Sequence, residues 1–368
     1  MRILIDLTAL ADNFSGLERY ALNISLNLVR NDSKNDYILI FKNSVFKDFY
    51  EIIKKKNVTY KIIKGKNKLF FNQVILPIEL LKIKADKYLF LAFPSPLLFR
   101  RKGIYNAIHD LTAFYYPETM KKSSMLYFKY SILNAIRVSE GIITVSNTSK
   151  ADIEKIFKPK KINVFYNGIS SVFSNFNFNS IENEFVKNKY SLNEKYIMCL
   201  GTLEPRKNLT LMLQAYSQLR REKKLEEKLV LVGRKGWKVD EVLRGLDIVD
   251  FEDDIIFTGF VEDEYLPYLY LNCEVFVFPS IYEGFGIPPI EAMYMESKVL
   301  LSDIPVLKEV CGKNVRYFKN NDINSLKNEL IDLLNDNNYN TKSNKERVAL
   351  YNWKNESDKL LTMLTKEE

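Results

Sequence analysis

The feature that most constrains the fold is the alternation of short apolar runs with helix-like segments along this 368-residue chain. Runs of strand length recur through the first half, at residues 3–7, 37–41, 58–63, 87–91, 103–108, 141–145 and 162–165. Segments with helical spacing lie between several of them, at 72–83, 122–138 and 147–157. Strands separated by helices predict a mostly parallel sheet, and such sheets bind ligands beyond the carboxyl ends of their strands.

The second half repeats the alternation. Strands are predicted at 196–200, 228–232, 255–261, 275–278 and 299–301, and helices at 208–221, 263–271, 323–335 and 348–364. Residues 170–183 separate the halves and show neither a strand-like apolar run nor the helical spacing of apolar residues. A chain of this length suits two domains, each with its own core. We place them at 1–170 and 171–347.

Residues 278–293 predict a strand, a glycine loop and the start of a helix. Unpaired amides at a helix start, together with the helix dipole, favour a bound phosphate. Glu283 precedes the loop Gly284-Phe285-Gly286, and Glu291 follows it by about one turn. Because carboxylates repel phosphate, we expect these two to contact hydroxyls. The alternative is a tight connection with solvated glutamates.

A second motif, Gly-Thr-Leu-Glu-Pro-Arg-Lys-Asn, occupies residues 201–208 directly after a predicted strand. It puts Arg206 and Lys207 at a strand-to-helix turn. Arg offers a planar fork and Lys a point charge, which together suit a diphosphate. The alternative is a solvated helix start.

These two motifs resemble those of the retaining glycosyltransferases of family 4. The resemblance is strong over 196–310, looser over 1–170, and implies an α/β chain of the GT-B fold, with two Rossmann-like domains facing each other across a cleft. It also implies that the terminal helix, 348–368, completes the first domain, with Trp353 as an apolar anchor. His109 and Glu283 are the catalytic candidates that it gives. The implied donor-binding residues are Gly16, Arg206, Lys207, Gly259, Phe260, Val261, Gly284, Phe285, Gly286, Ile287 and Glu291.

The resemblance also gives these residues roles. Arg206 and Lys207 would hold the diphosphate, Glu291 the ribose, and Glu283 the hydroxyls of the donor sugar. The backbone after Gly259, at Phe260 and Val261, would hold the nucleobase. Gly16 would let the backbone of the first domain approach closely. The glycines of Gly233-Arg-Lys-Gly236-Trp237 would line the cleft, and Trp237 would pack.

His109 is the only histidine of the chain and follows the predicted strand at 103–108. In the resembling family the matching histidine lies near the donor sugar and the acceptor. A structural histidine is the alternative, and the sequence does not give this residue a general-base role.

The chain contains no Asp-x-Asp motif and no cluster of His and Cys with metal-ligand spacing. We therefore expect no metal and no cofactor; Arg206, Lys207 and helix amides would stabilise the leaving diphosphate. The resemblance implies retention of the anomeric configuration, with the acceptor attacking on the face that the leaving group departs from. The chain departs from the family pattern around Ser302 and Glu309, so no contact is assigned to those residues.

The motifs most resemble the branch that builds bacterial O-antigen and capsular polysaccharides. This favours mannosyl transfer from GDP-mannose, a nucleotide-sugar substrate, to a lipid-linked oligosaccharide. The alternatives are a rhamnosyl or other hexosyl transferase, a nucleotide-sugar epimerase of the same fold, an α-glucan synthase or phosphorylase relative, or a basic nucleic-acid-binding protein. A phosphorylase would need a lysine motif for pyridoxal phosphate, and we recognise none.

Charge is distributed unevenly. Residues 1–170 hold 28 Lys or Arg and 14 Asp or Glu, whereas the rest of the chain holds 26 and 32. A basic first half suits an anionic membrane surface, a lipid-diphosphate acceptor or nucleic acid, and the alternative is a solvated basic surface without a partner. Of these we expect no nucleic-acid partner. Three separated cysteines and no predicted signal peptide favour the cytoplasm, either free or peripheral on the inner face of the plasma membrane.

Overall fold

A computed structural model describes residues 1–11, 16–234 and 253–366. The chain forms two compact units. The N-terminal unit comprises Met1–Gly168 and Asn352–Glu368, and the C-terminal unit comprises Ile169–Tyr351.

The N-terminal unit is built on a sheet of seven parallel strands. The strands are β1 Arg2–Asp6, β2 Asp36–Lys42, β3 Val58–Ile63, β4 Lys87–Phe90, β5 Ile104–Ala107, β6 Gly141–Thr144 and β7 Ile162–Val164. Their order is β3-β2-β1-β4-β5-β6-β7, so β1 lies between β2 and β4. Most central-strand residues are buried on both faces, which is why these strands are apolar throughout rather than alternating.

Helices of this unit connect successive strands. They are α1 Gly16–Asn31, α2 Lys68–Phe70, α3 Leu76–Leu81, α4 Thr112–Tyr115, α5 Lys122–Val138 and α6 Asn147–Ile156, with a π-helical turn Phe71–Ile75 joining α2 to α3. The predicted helix at 72–83 is thus continuous from residue 68 to 81. Its inward side chains Phe71, Leu76 and Leu80 join a core cluster with residues of β1, β2 and β4.

The terminal helix of the chain, Trp353–Thr365, belongs to the N-terminal unit and packs on α1. It begins at Trp353 rather than at 348, because the Asn352 side chain caps it by accepting hydrogen bonds from the amides of Lys354 and Asn355. Trp353 is buried against Gly168, where an added Cβ would lie 2.6 Å from the Trp353 amide nitrogen.

Within residues 169–234 and 253–351, the C-terminal unit is built on a sheet of six parallel strands. The strands are β8 Tyr196–Leu200, β9 Lys228–Val232, β10 Ile255–Gly259, β11 Val275–Phe278, β12 Val299–Ser302 and β13 Arg316–Phe318. Their order is β10-β9-β8-β11-β12-β13, so β8 lies between β9 and β11.

Its helices are α7 Ser171–Ser174, α8 Ser180–Tyr190, α9 Leu209–Arg221, α10 Leu266–Asn272, α11 Ile287–Tyr294, α12 Pro305–Cys311, α13 Ile323–Asn335 and α14 Thr341–Val348. On one face of the sheet, α9 and α13 bury Met212, Tyr216 and Leu330 in a core cluster with residues of the strands. The segment predicted to lack structure, 170–183, holds the short α7 and the start of α8.

Each sheet has one point at which the strand order reverses. In the N-terminal unit the reversal lies between β1 and β4, and in the C-terminal unit between β8 and β11. In open parallel sheets the loops at such a point diverge and leave a crevice for a ligand. Two such sheets agree with the two Rossmann-like domains that the sequence predicts. Within the described part of the chain, no helix is long and apolar enough to cross a membrane.

Candidate active site

Both sequence motifs meet at the switch point of the C-terminal sheet. The loop after β8 contains a 3₁₀ turn, Pro205–Lys207, that leads into α9, and the loop after β11 leads into α11. The two loops are joined by a hydrogen bond from the Ile281 amide to the Arg206 carbonyl, 3.0 Å long. Because β8 and β11 are neighbours, residues 76 positions apart become direct partners.

Glu283 lies between the two cations that the sequence assigned to a diphosphate. Its carboxylate accepts from Lys207 Nζ at 2.6 Å and pairs with Arg206 Nη1 at 2.8 Å. Arg206 Nη1 also donates to the Tyr282 carbonyl at 2.8 Å. All three charged side chains are mostly buried. The Glu283 carboxylate therefore balances the charges of both cations.

Glu204 fixes the guanidinium from its other side. Its Oε1 accepts from Arg206 Nη2 at 2.7 Å and from Nε at 3.1 Å. The sequence analysis missed this residue, although it stands two positions before Arg206 in the same motif. A guanidinium held by two carboxylates keeps one orientation, because its donors form a planar fork.

The pKa values of this cluster follow from burial and from charge. Burial would raise the pKa of Glu283, but the charges and hydrogen bonds of Arg206 and Lys207 outweigh it and lower the pKa to about 2. Burial lowers the pKa of Lys207, and the Glu283 carboxylate opposes that shift. The cluster is thus an ion pair whose carboxylate stays ionised at neutral pH.

The start of α11 offers backbone donors in the same loop. Gly286 is the N-cap residue with φ of +94°, a left-handed conformation that glycine adopts without strain. Pro288 and Pro289 lack an N–H, so the amides of Gly286 and Ile287 are the donors that this helix start can present to an anion. Phe285, between the two loop glycines, is buried edge-on against Tyr351.

Glu291 is buried on α11. Its Oε2 accepts from the Tyr270 hydroxyl at 3.1 Å, so a residue of α10 orients the carboxylate. Tyr270 is a second residue that the sequence analysis missed. Nothing in its local sequence marks it, because it reads as one of several core aromatics.

Three glycines mark the carboxyl ends of neighbouring strands. The Gly201 amide donates to the Val232 carbonyl, and the Gly233 amide donates to the Gly259 carbonyl, both at 2.9 Å. A Cβ on Gly233 would lie 2.0 Å from the Gly201 carbonyl oxygen, so the two backbones approach more closely than a side chain allows. At these three positions, therefore, the strand ends present backbone rather than a side chain of their own.

Phe260 follows the last of these glycines and is partly exposed, whereas Val261 is buried. The guanidinium of Arg234 lies over the Phe260 ring, 4.7 Å from its centroid. Arg234 was not among the predicted site residues. The neighbouring Gly236 and Trp237 lie outside the described residues.

In the N-terminal unit, His109 lies just beyond the end of β5. Its Nε2 lies 2.8 Å from the Leu91 carbonyl oxygen, and the Tyr20 ring contacts it edge-on at 4.9 Å between centroids. Burial lowers the pKa of His109 and outweighs the Leu91 carbonyl and Asp110, which act in the opposite direction. A neutral imidazole with Nε2–H donating to that carbonyl has its lone pair on Nδ1.

The predicted glycine Gly16 is the first residue of α1, and residues 12–15 before it lie outside the described part of the chain. The same unit contains a cavity of about 470 Å³ at its switch point. The cavity is lined by residues at the carboxyl ends of β1 and β2 and in the loops after β1, β2 and β4, among them Asp6, Lys42, Asn43 and Phe93. The sequence analysis assigned no residue to it.

The C-terminal unit carries most of the similarity to known proteins. Residues 180–348 match the family model described as "Glycosyl transferases group 1". Over these residues the chain is therefore similar to the group 1 glycosyltransferases. The match includes both motifs, so the recognition made from residues 201–208 and 278–293 is confirmed.

Curated relatives extend the similarity. O-antigen chain mannosyltransferase B of Escherichia coli is 32% identical over 229 residues, covering 62% of this chain and 60% of the relative. O-antigen chain mannosyltransferase RfbU of Salmonella typhimurium is 29% identical over 220 residues, covering 58% of this chain and 56% of the relative. The chain thus spans less than two thirds of the length of these relatives.

Solved structures share the fold across both units. The crystal structure of Anabaena Alr3699/HepE in complex with UDP and glucose has a TM-score of 0.75 at 16% identity and covers 100% of both chains. WaaG, a glycosyltransferase involved in lipopolysaccharide biosynthesis, has a TM-score of 0.71 at 13% identity and covers 99% of this chain and 100% of its own. At such identities the likeness shows the GT-B fold.

The predicted donor residues therefore fall into two groups. Those of the two motifs lie in the adjoining loops after β8 and β11, and Gly259, Phe260 and Val261 lie at the end of β10 on the same edge of the sheet. Gly16 and His109 lie in the other unit. Among the described residues, no group of three or more His, Cys, Asp and Glu is placed to hold a metal ion. Metal independence remains a prediction.

Proposed function

We propose that this chain is a retaining glycosyltransferase that moves a hexose, with mannose favoured, from a nucleotide-sugar to a saccharide acceptor. The observation that carries the proposal is the buried cluster of Arg206, Lys207 and Glu283 at the C-terminal switch point. Two cations beside a glycine-capped helix start suit a diphosphate, and a carboxylate among them suits sugar hydroxyls.

Donor binding would rearrange this cluster. An entering diphosphate competes with Glu283 for Lys207 and Arg206, because its oxygens are acceptors of the same kind. Glu283 then accepts hydrogen bonds from hydroxyls of the transferred sugar, which orients the sugar. As the bond between the sugar and the diphosphate breaks, Lys207, Arg206 and the amides of Gly286 and Ile287 stabilise the developing negative charge.

The rest of the nucleotide would follow the same edge of the sheet. Glu291, held by Tyr270, accepts from the ribose hydroxyls. The base lies against backbone at Gly259, Phe260 and Val261, where the glycines leave main-chain groups accessible. This part of the proposal is tested by nucleotide binding alone, without an acceptor.

For the acceptor, we propose the cavity at the N-terminal switch point. It combines a carboxylate, a lysine, an amide and aromatic rings, at Asp6, Lys42, Asn43 and Phe93. Hydroxyls of a saccharide suit the first three and a sugar ring stacks on the last. His109 contributes to catalysis as a neutral hydrogen-bonding group, and the acceptor attacks on the face that the leaving group departs from.

The names of the curated relatives favour mannose as the sugar and O-antigen synthesis as the process. With the resemblance of the motifs to O-antigen and capsule enzymes, we propose GDP-mannose as the donor and a lipid-linked oligosaccharide as the acceptor. Such an acceptor places the reaction at the cytoplasmic face of the plasma membrane. The reaction needs no metal in this proposal. A rhamnosyl or other hexosyl transferase and a nucleotide-sugar epimerase remain the enzymatic alternatives, and a nucleic-acid-binding protein the non-enzymatic one.

The test is a thermal-shift and donor-hydrolysis panel with GDP-, UDP-, dTDP- and ADP-sugars, with and without EDTA. It compares the wild type with Lys207→Ala and Glu291→Gln. Lys313→Ala, an exposed lysine of the same unit, is the matched control. We expect one nucleotide class to raise the melting temperature of the wild type and of the control. The same nucleotides should not stabilise either site variant, and EDTA should not change the shift.

Other outcomes discriminate between the alternatives. Release of free nucleotide and a changed sugar, with no need for an acceptor, would identify an epimerase. Nucleic-acid binding that persists in Lys207→Ala would favour the non-enzymatic reading. The absence of a shift with every nucleotide would contradict the donor site.

A further inference from the structure

The outer face of the 68–81 helix is unusually apolar. Phe70, Val74, Ile78 and Leu81 follow one another at helical spacing and are between 40 and 56% exposed. The inward face of the same helix already supplies Phe71, Leu76 and Leu80 to the core. A surface helix ordinarily carries polar residues opposite its buried stripe, so these outward side chains are not explained by folding of the unit.

A second helix repeats this feature. On α5, Leu126, Tyr130 and Leu133 are spaced by four and three residues and are between 47 and 62% exposed. Its inward residues Ile132 and Ala135 pack in the core. Leu98, on the loop after β4, is 77% exposed.

These elements adjoin one another. Gln73 Nε2 donates to the Tyr127 hydroxyl at 3.3 Å, and Gln73 Oε1 accepts from the Leu97 amide at 2.9 Å. The exposed residues Val74, Leu126 and Leu98 are each the chain neighbour of one of these partners. Because these contacts join the 68–81 helix to α5 and to the loop that carries Leu98, we treat their exposed apolar side chains together and call them the docking surface.

Basic residues border the docking surface. Residues 64–137 contain 13 Lys or Arg and 4 Asp or Glu. Lys121 and Lys122 are exposed at the start of α5, and Arg101 is anchored beside Leu81 by a 3.0 Å hydrogen bond to its carbonyl. Of the four acids, Glu79 is already bound by two lysines, and Asp86 accepts from the amide of Arg2.

We infer that the docking surface binds an anionic lipid bilayer. Apolar side chains enter the boundary between headgroups and acyl chains, and the bordering cations meet anionic headgroups. A second protein copy would present the same positive charge to itself and be repelled, so charge complementarity favours lipid as the occupant. The inference deepens the proposed function, since a lipid-linked acceptor lies in such a bilayer.

The experiment is cosedimentation of the full chain with vesicles of phosphatidylcholine and increasing phosphatidylglycerol, without any sugar donor. We expect binding that grows with the anionic fraction and weakens as salt is raised. The double variant of Phe70→Ser and Ile78→Ser should bind about tenfold more weakly for each side chain removed. The double variant of Lys121→Gln and Lys122→Gln should lose about fivefold for each charge.

A matched control removes an exposed apolar side chain and an exposed lysine charge elsewhere in the unit. On α6, Ile156 is 41% exposed and Lys155 is exposed, and the double variant of Ile156→Ser and Lys155→Gln should bind vesicles like the wild type. Nucleotide stabilisation, which belongs to the C-terminal unit, is measured for every variant. It should be unchanged, so membrane binding and donor binding can fail separately.

Several results would overturn the inference. They are the absence of vesicle binding at every anionic fraction, vesicle binding that the docking-surface variants leave intact, and a concentration-dependent dimer of the wild type that the apolar variants dissociate. The last would identify a second copy as the occupant. Because the lysine variants change only exposed side chains, they keep the test valid if the apolar variants fail to fold.

Discussion

At the residue scale, the main finding is that the charged groups assigned to the donor contact one another directly. Glu283 accepts from Lys207 and pairs with Arg206, and all three are mostly buried. Removing one partner of a buried ion pair is strongly destabilising, because the other charge is left unpaired. The cluster is thus a stability element as well as a candidate site.

We predict that Glu283→Gln lowers the free energy of unfolding at pH 7 by about 3 kcal/mol. The pKa of Glu283 is lowered from its ordinary 4.5 to about 2, so below pH 4.5 the unfolded chain takes up the proton first. The stabilisation is present above that pH and is lost as pH falls toward 2. Urea unfolding from pH 7 to 3 should show the wild type and the variant converging.

A control and a contrary result accompany this measurement. Lys313→Ala, on the surface, should change the free energy of unfolding by less than about 0.5 kcal/mol at every pH. A constant difference between wild type and Glu283→Gln across the pH range would mean that Glu283 is not held as an ion pair.

His109 provides a second prediction at this scale. Burial lowers its pKa, so the folded protein should keep a neutral imidazole below the ordinary pKa of 6.5. As the only histidine, it gives a single ring signal for an NMR titration. Because the unfolded chain binds the proton first, this residue should reduce stability as pH falls below 6.5. A midpoint at or above 6.5 would contradict the lowering of the pKa by partial burial.

At the scale of elements, glycines decide how closely the loops after the strands approach each other. Gly286 caps α11 with φ of +94°, and a Cβ there would lie 2.7 Å from Leu307 Cδ2. Gly259 also has a positive φ, of +70°, but among the described residues no atom lies within 4 Å of its would-be Cβ. Adding a side chain at Gly259 therefore tests backbone strain alone, whereas adding one at Gly286 tests strain together with a steric clash.

We predict that Gly259→Ala costs about 1 kcal/mol of stability, the strain of a left-handed residue with a side chain. Gly286→Ala should cost about 2 kcal/mol or more, since Leu307 must also move. Urea unfolding of both variants gives the comparison. Equal costs would show that Leu307 yields without strain and that the clash is unimportant.

At the scale of the whole molecule, the last segment of the sequence, Asn352–Glu368, belongs to the N-terminal unit. The terminal helix packs on α1, and Trp353 contacts Gly168 and the Tyr20 ring, which in turn contacts His109. The sequence resemblance implied this return. A single aromatic residue at the start of the helix fixes it against the body of the unit.

We predict that Trp353→Ala lowers the free energy of unfolding by about 3 kcal/mol, because it leaves a cavity next to Gly168 and Tyr20. Leu350→Ala, three residues earlier and 67% exposed, is the control and should change it by less than about 0.5 kcal/mol. Chemical denaturation followed by circular dichroism measures both. If the two variants were alike, the terminal helix would not be anchored through Trp353.

Much of this molecule is determined by local sequence. The alternation of apolar runs and helical segments predicts two parallel sheets, because a buried parallel strand must be apolar on both faces. The motifs at 201–208 and 278–293 predict the donor-side loops, because glycine allows the turn, proline suits the helix start and paired cations suit an anion. The family match over 180–348 includes both motifs.

The pairings between segments that are distant in the sequence were decided only by the tertiary structure. Strand order places β8 beside β11, and this adjacency turns Lys207 and Glu283 into an ion pair and lets Tyr270 of α10 orient Glu291. The exposed apolar face of the 68–81 helix belongs here too, since apolar residues lie on more than one face of that helix and the sequence alone does not tell which face is buried. Local patterns specify which elements form, whereas packing between elements specifies which face is buried and which side chains meet.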